Sequence, residues 1–274
     1  MPKAMVIFRV KPTVAQVVPV VFITNQTLLH LSPTGVPALA RKLVQKVQQM
    51  AAKQCIPYQE IQLDCDWTRS SRSRYFALLR AIQQEAKVPL SATIRLHQVK
   101  FVAQTGVPPV ARGMLMAYNM TDWKRPGTRN SILDLTELRR YTPYLPGYPL
   151  PLDLALPLFR WTVVFRNNRV MTLLNNVDGN ALHAQTALTP QPDSTRFVVT
   201  RDTMALGISL RRGDLLRTEA CRPVDLEAAK ALVLAQLPDQ KRTFTFYHLD
   251  AAVLNAYPPA TLKKLILSPP DQAP

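Results

Sequence analysis

Two carboxylates stand two residues apart, Asp64 and Asp66, in a segment that otherwise has the composition of a buried strand, Gln62-Leu63-Asp64-Cys65-Asp66-Trp67-Thr68. Successive strand residues point to opposite faces, so Gln62, Asp64, Asp66 and Thr68 share one face and Leu63, Cys65 and Trp67 the other. Strand interiors disfavour Asp, and like charges this close raise one pKa unless hydrogen bonds or cations support them. Two carboxyl groups with separated pKa values can divide acid and assisting roles, one donating a proton while the other assists. On this reading Asp66, nearer the strand end, carries the proton, and Asp64 holds charge that pushes the Asp66 pKa upward. Thr68 beyond them is too weak an acid to substitute. The structural alternative has one Asp capping a helix or pairing with an inward Arg.

Other residues are placed to join them. In Thr93-Ile94-Arg95-Leu96-His97 the same alternation puts Thr93, Arg95 and His97 on one face. Arg95 is expected within salt-bridge reach of the Asp pair, and, if buried there, to be costly to remove. His97 is either a substrate ligand or a structural histidine. Tyr118-Asn119 closes the apolar run Met114-Leu115-Met116-Ala117, where both can orient a polar ligand. Tyr247, with Trp123, Tyr144 and Tyr148, offers an aromatic face on which a ligand can stack, whereas Trp67 is expected on the helix side. The candidate set is therefore Asp66 and Asp64 as catalytic groups, with Arg95, His97, Tyr118, Asn119, Thr68 and Tyr247 binding substrate. The three cysteines, Cys55, Cys65 and Cys221, are odd in number and have no CxxC spacing, so neither a disulfide framework nor a zinc site is expected; no cofactor and no metal are expected.

The elements that must position these residues alternate. Segments 5–10, 17–24, 60–67, 90–99, 112–120 and 150–161 have strand composition, with the last almost continuously apolar, as in a strand buried on both faces. Between them, 36–53 places Leu39, Leu43, Val44, Val47 and Met50 on one helical stripe, and 71–87 does so with Tyr75, Leu78, Leu79 and Ile82. A further helical pattern covers 130–141. Residues 162–222 break the rhythm with short strands separated by Asn, Asp and Gly turns, after which helix 225–237 and strand 243–249 resume it. Alternation of this kind predicts an α/β fold, a TIM-type (β/α)8-like parallel barrel with a hairpin-rich insertion at about 162–222, in a single domain over 1–274.

A formal net charge of +16, from 34 Lys+Arg against 18 Asp+Glu, suits an anionic partner. The basic residues are scattered in pairs such as Arg139-Arg140 and Lys263-Lys264, with no helix-turn-helix or zinc-finger pattern, so nucleic acid is not expected. Apolar runs are too short or interrupted to cross a bilayer. The start, Met1-Pro2-Lys3-Ala4-Met5, lacks a signal-peptide layout. That leaves the compartment open, an extracytoplasmic parent with a trimmed leader included. A monomer is expected.

Segment 61–68 resembles the fourth-strand DxxDxDxE motif of the family-18 glycoside hydrolases, the chitinases. Met116-Ala117-Tyr118-Asn119 is similar to their sixth-strand M-x-Y-D, and Leu154-Ala155-Leu156-Pro157-Leu158-Phe159 to the G-L-P-F-Y run of their seventh strand. More closely, the chain resembles a bacterial group of chitinase-like barrels. The resemblance implies a TIM barrel with its site at the carboxyl ends of the strands, and places the 162–222 hairpins where chitinases insert a small subdomain. Residue by residue, Asp64 and Asp66 match the second and third aspartates, Ile61 stands at the first, Thr68 at the acid Glu, and Asn119 at the Asp after Tyr. In the family that Glu protonates the leaving oxygen and the neighbouring Asp supports a substrate acetamido nucleophile. The Gly-rich third-strand motif is absent. Three readings stay open: a glycosidase using Asp64 and Asp66, a non-catalytic barrel binding a carbohydrate or polysaccharide, acidic ones included, and a basic scaffold binding an anionic polymer.

Overall fold

The computed structural model describes residues 16–267, so the strand expected at 5–10 lies outside the described residues. Thirteen strands follow in chain order: β1 Val20–Phe22, β2 Ile61–Asp64, β3 Leu90–Arg95, β4 Arg112–Met116, β5 Leu152–Pro157, β6 Trp161–Arg166, β7 Arg169–Asn175, β8 Leu188–Pro190, β9 Arg196–Val199, β10 Thr203–Ala205, β11 Ile208–Leu210, β12 Leu215–Glu219 and β13 Phe244–Tyr247. Six of them form one sheet in the order β1-β2-β3-β4-β5-β13, five form an antiparallel sheet in the order β7-β6-β12-β9-β8, and β10 pairs with β11. This is the expected α/β class: a parallel sheet alternating with helices, and antiparallel hairpins inserted before its last strand. Among the described residues the parallel sheet has six strands.

The expected strands between 17 and 161 are all shorter in the structure, and two of them show why. The run 150–161 divides, because β5 belongs to the parallel sheet and β6, from Trp161, to the antiparallel one. The run 90–99 stops at Arg95, where helix Leu96–Lys100 begins with Gln98 accepting the Arg95 N–H at 2.8 Å.

The chain divides into two compact units, and the division passes through β4 and β5. The first holds the described residues up to Leu115 with Gly147–Asp153. Its core joins helix Val36–Lys53 and helix Arg72–Ala86 to the strands through Val44, Val47, Leu63, Leu78, Leu79 and Ile82. The first helix buries Val36, Ala40, Val44 and Val47, so its inward stripe keeps Val44 and Val47 of the expected one, and leaves Leu39 and Leu43 half-buried and Met50 48% exposed. Trp67 is wholly buried, stacked on Tyr75 at 5.1 Å, with its indole N–H donated to the Thr105 carbonyl at 2.9 Å. Gly113 is required by close approach, since a Cβ there would come within 2.6 Å of Ile94 and 2.8 Å of Leu152.

The second unit holds Met116–Pro146 and the residues from Leu154 onward. The inserted hairpins pack Val164, Leu182, Phe197, Val199, Leu210 and Leu216 into a core of their own. Beside it lies a fully buried ion pair, Arg217–Glu219 at 2.6 Å. Arg217 donates to the carbonyls of Trp123, Arg125 and Pro126, and Glu219 accepts from the Ser131 N–H and hydroxyl and from the Trp161 indole. The pair thereby fixes the loop that follows β4.

Candidate functional site

In the first unit the inward face of β2 and β3 carries a ladder of polar pairs. The parallel register sets Gln62 opposite Ser91, and each later rung repeats the same sequence separation of 29. Gln62 donates to the Ser91 hydroxyl at 3.2 Å, Thr93 donates to Asp64 Oδ1 at 2.7 Å, and Arg95, the last residue of β3, grips Asp66, two residues past the end of β2. In that last pair Arg95 Nε donates to Oδ1 and Nη2 to Oδ2, the second at 2.6 Å, the bidentate geometry of a guanidinium on an ionised carboxylate. Leu63, Cys65 and Trp67 are buried on the other face, as the alternation required.

The two carboxylates live in different surroundings. Burial pushes the Asp64 carboxyl above the usual carboxylate range; the Thr93 hydrogen bond and the Arg95 charge oppose the rise and the Asp66 charge adds to it. Asp66 has both oxygens engaged by Arg95, and its side chain is 46% exposed. The group shifted toward its protonated form is thus Asp64, one rung deeper than the residue expected to carry the proton. Burial, with both Asp charges behind it, pushes the Cys65 thiol up to about 12 and leaves it unreactive.

His97 is not on the strand. It lies on the first turn of helix Leu96–Lys100 and is exposed, so strand parity does not orient it, because the chain leaves β3 at Arg95. It still senses the ladder: partial burial and then the Arg95 charge lower its pKa, against the pull of Asp66. Thr68 is exposed, its hydroxyl 2.9 Å from that of Ser70 and its N–H donated to Ser71 Oγ at 2.9 Å, at the entry to helix Arg72–Ala86. Phe22 belongs with these residues and went unnoticed in the sequence. The β1 register pairs it with Asp64, and it is 65% exposed. The signal was available, an aromatic at strand parity in 17–24, but nothing in the sequence fixed the register.

In the second unit Tyr118 and Tyr247 come together, their rings stacked at 5.3 Å and 9°. Phe159 meets both edge-on, at 6.0 and 5.9 Å, and Trp161 lies 5.2 Å from Phe159. Tyr118 is buried while Tyr247 is 48% exposed at the end of β13, so the cluster offers a ring to solvent. Asn119 follows in a left-handed conformation (φ 53°), exposed, with its N–H donated to the Ile132 carbonyl at 2.9 Å. Asn tolerates that geometry better than most residues. Phe159, Trp161 and His248, stacked 6.1 Å from Phe159, were not among the expected residues. No group of His, Cys, Asp and Glu able to hold a metal ion occurs among the described residues.

No family model matches the sequence, and neither does any curated protein. Solved structures do share its fold. The Bacillus cereus spore cortex-lytic enzyme SleL aligns over 84% of this chain and 56% of its own, at 15% identity and a TM-score of 0.51. The chitinase of Chromobacterium violaceum ATCC 12472 aligns over 88% and 77%, at 14% identity and 0.51. The Group IV chitinase of Ostrinia furnacalis aligns over 90% and 79%, at 10% identity and 0.50. The chain thus spans little more than half the length of the first of these. At such identities the likeness is one of fold: the chain has the chitinase-type α/β architecture that segments 61–68, 116–119 and 154–159 led us to expect.

Proposed function

We propose that the chain acts on a carbohydrate at the carboxyl ends of β2 and β3, as a glycosidase in which Asp64 carries the proton and Asp66, clasped by Arg95, stabilises positive charge on the sugar. The observation behind this reading is the contrast between the two rungs. One carboxyl is half-buried, bonded to a neutral hydroxyl and shifted upward; the other is clasped by a guanidinium. Environments that separate two neighbouring carboxyl pKa values are the usual mark of divided acid and charge-stabilising roles. Thr93 occupies one Asp64 oxygen as donor, which leaves the proton to the other. Phe22, opposite Asp64, offers an apolar face for a sugar ring.

The fold shared with chitinases makes N-acetylhexosamine oligosaccharides the first substrates to try. A second reading, carbohydrate binding without turnover, is favoured by Thr68, exposed and hydroxyl-bearing at the position of the family's acid. Wild type, Asp64→Asn and Asp66→Asn are to be compared for reducing-end release from chitin oligosaccharides and neutral and acidic hexose oligosaccharides. We expect turnover by wild type alone. Binding without turnover by all three proteins would favour the second reading, and neither binding nor turnover would leave both without support.

A further inference from the structure

Between residues 16 and 115 there are twelve Lys+Arg and four Asp+Glu. Glu60, Asp64 and Asp66 engage inward-facing groups of the strands, Glu60 through Ser91 and the aspartates through Thr93 and Arg95. Glu85 is thus the one acid on helix Val36–Lys53 and helix Arg72–Ala86. These helices pack through the core already described, and Arg41 of the first reaches Glu85 of the second at 3.7 Å, so their solvent faces adjoin. On that surface Lys42, Lys46 and Lys53 are exposed from the first helix, and Arg80 and Lys87 on and just after the second. The neutral residues between them are largely glutamines, among them Gln45, Gln49 and Gln83, all exposed.

Unbalanced charge of one sign raises self-repulsion and concentrates oppositely charged polymers at the surface. From this face we infer that the helix pair is a second binding surface, separate from the strand ends, for an anionic polysaccharide carrying carboxylates. Cations alone suit any polyanion. Amides interleaved with them match a polymer that presents hydroxyls beside its charges, because an amide both donates to and accepts from a hydroxyl. A membrane surface fits less well, since such helices insert Trp, Phe or Leu and Met50 is the one large apolar side chain exposed here. Duplex nucleic acid would use the cations, but its phosphates, which only accept, would engage the N–H half of each amide and not its oxygen.

The test measures binding of polygalacturonate to the full chain by fluorescence anisotropy across a salt series. Wild type should bind, with log affinity falling linearly in log salt as counterions are released. The variant Lys42→Gln/Lys46→Gln/Lys53→Gln/Arg80→Gln should bind at least about tenfold more weakly at about 50 mM salt, with a shallower slope. A control losing the same charge elsewhere, Arg169→Gln/Arg201→Gln/Arg212→Gln/Lys241→Gln, should bind as wild type does. Equal loss in both variants would mean that net charge alone attracts the polymer, and would overturn the inference. So would no binding by wild type, tighter binding of duplex DNA or anionic phospholipid vesicles by this face, or loss of polygalacturonate binding in Asp64→Asn, which would move the polymer to the strand ends. Failure of the glycosidase reading leaves each of these results intact.

Discussion

Asp64 illustrates how one side chain ties stability to chemistry. A carboxyl whose folded pKa lies above its unfolded value binds more protons when folded, so stability falls as pH rises from the unfolded pKa through the folded one. Its burial therefore costs the protein most at neutral pH and least in acid. Asp64→Asn, which keeps an oxygen to accept from Thr93, should raise the melting temperature at pH 7, with the gain shrinking toward pH 3.5. A gain that is constant with pH would show that Asp64 does not titrate upward. Arg95 behaves differently from a buried cation. Its side chain is 24% exposed and that of Asp66 is 46% exposed, so solvent screens the pair, and Arg95→Ala should cost about 1 kcal/mol rather than the several expected for a buried partner. Denaturant titration of the variant decides between these magnitudes.

The two polar faces of the ladder between β2 and β3 were legible because period-two alternation is written in the sequence; the register that makes 62, 64 and 66 meet 91, 93 and 95 was not, since it is set by strand pairing. His97 was misplaced by the same rule, since alternation holds only while the strand lasts and a helix starts at Leu96. Phe159 and Trp161 lay hidden in a run read as one strand; an apolar run does not show where a chain passes from a parallel sheet to an antiparallel one. The Arg217–Glu219 pair was invisible, because its partners lie about ninety residues away in the loop after β4. Both its side chains are fully buried, so removing one partner strands the other charge. Arg217→Ala should lower unfolding stability by about 3–5 kcal/mol, and a loss below about 1 kcal/mol would mean that water reaches the pair.

At the scale of the whole molecule, the fold is shared with chitinases, while Thr68 and Asn119 stand where the resemblance places their acid Glu and the Asp after Tyr, and a shared fold does not by itself carry an activity. The central claim is that Asp64 donates the proton. It is tested most directly by the pH dependence of turnover of an N-acetylhexosamine oligosaccharide by wild type and Asp64→Asn. The wild-type rate should fall as pH rises through the elevated Asp64 pKa, and Asp64→Asn should lose roughly 10²- to 10⁴-fold along with that limb of the profile. Turnover by Asp64→Asn at the wild-type rate, with the same limb, would contradict the account.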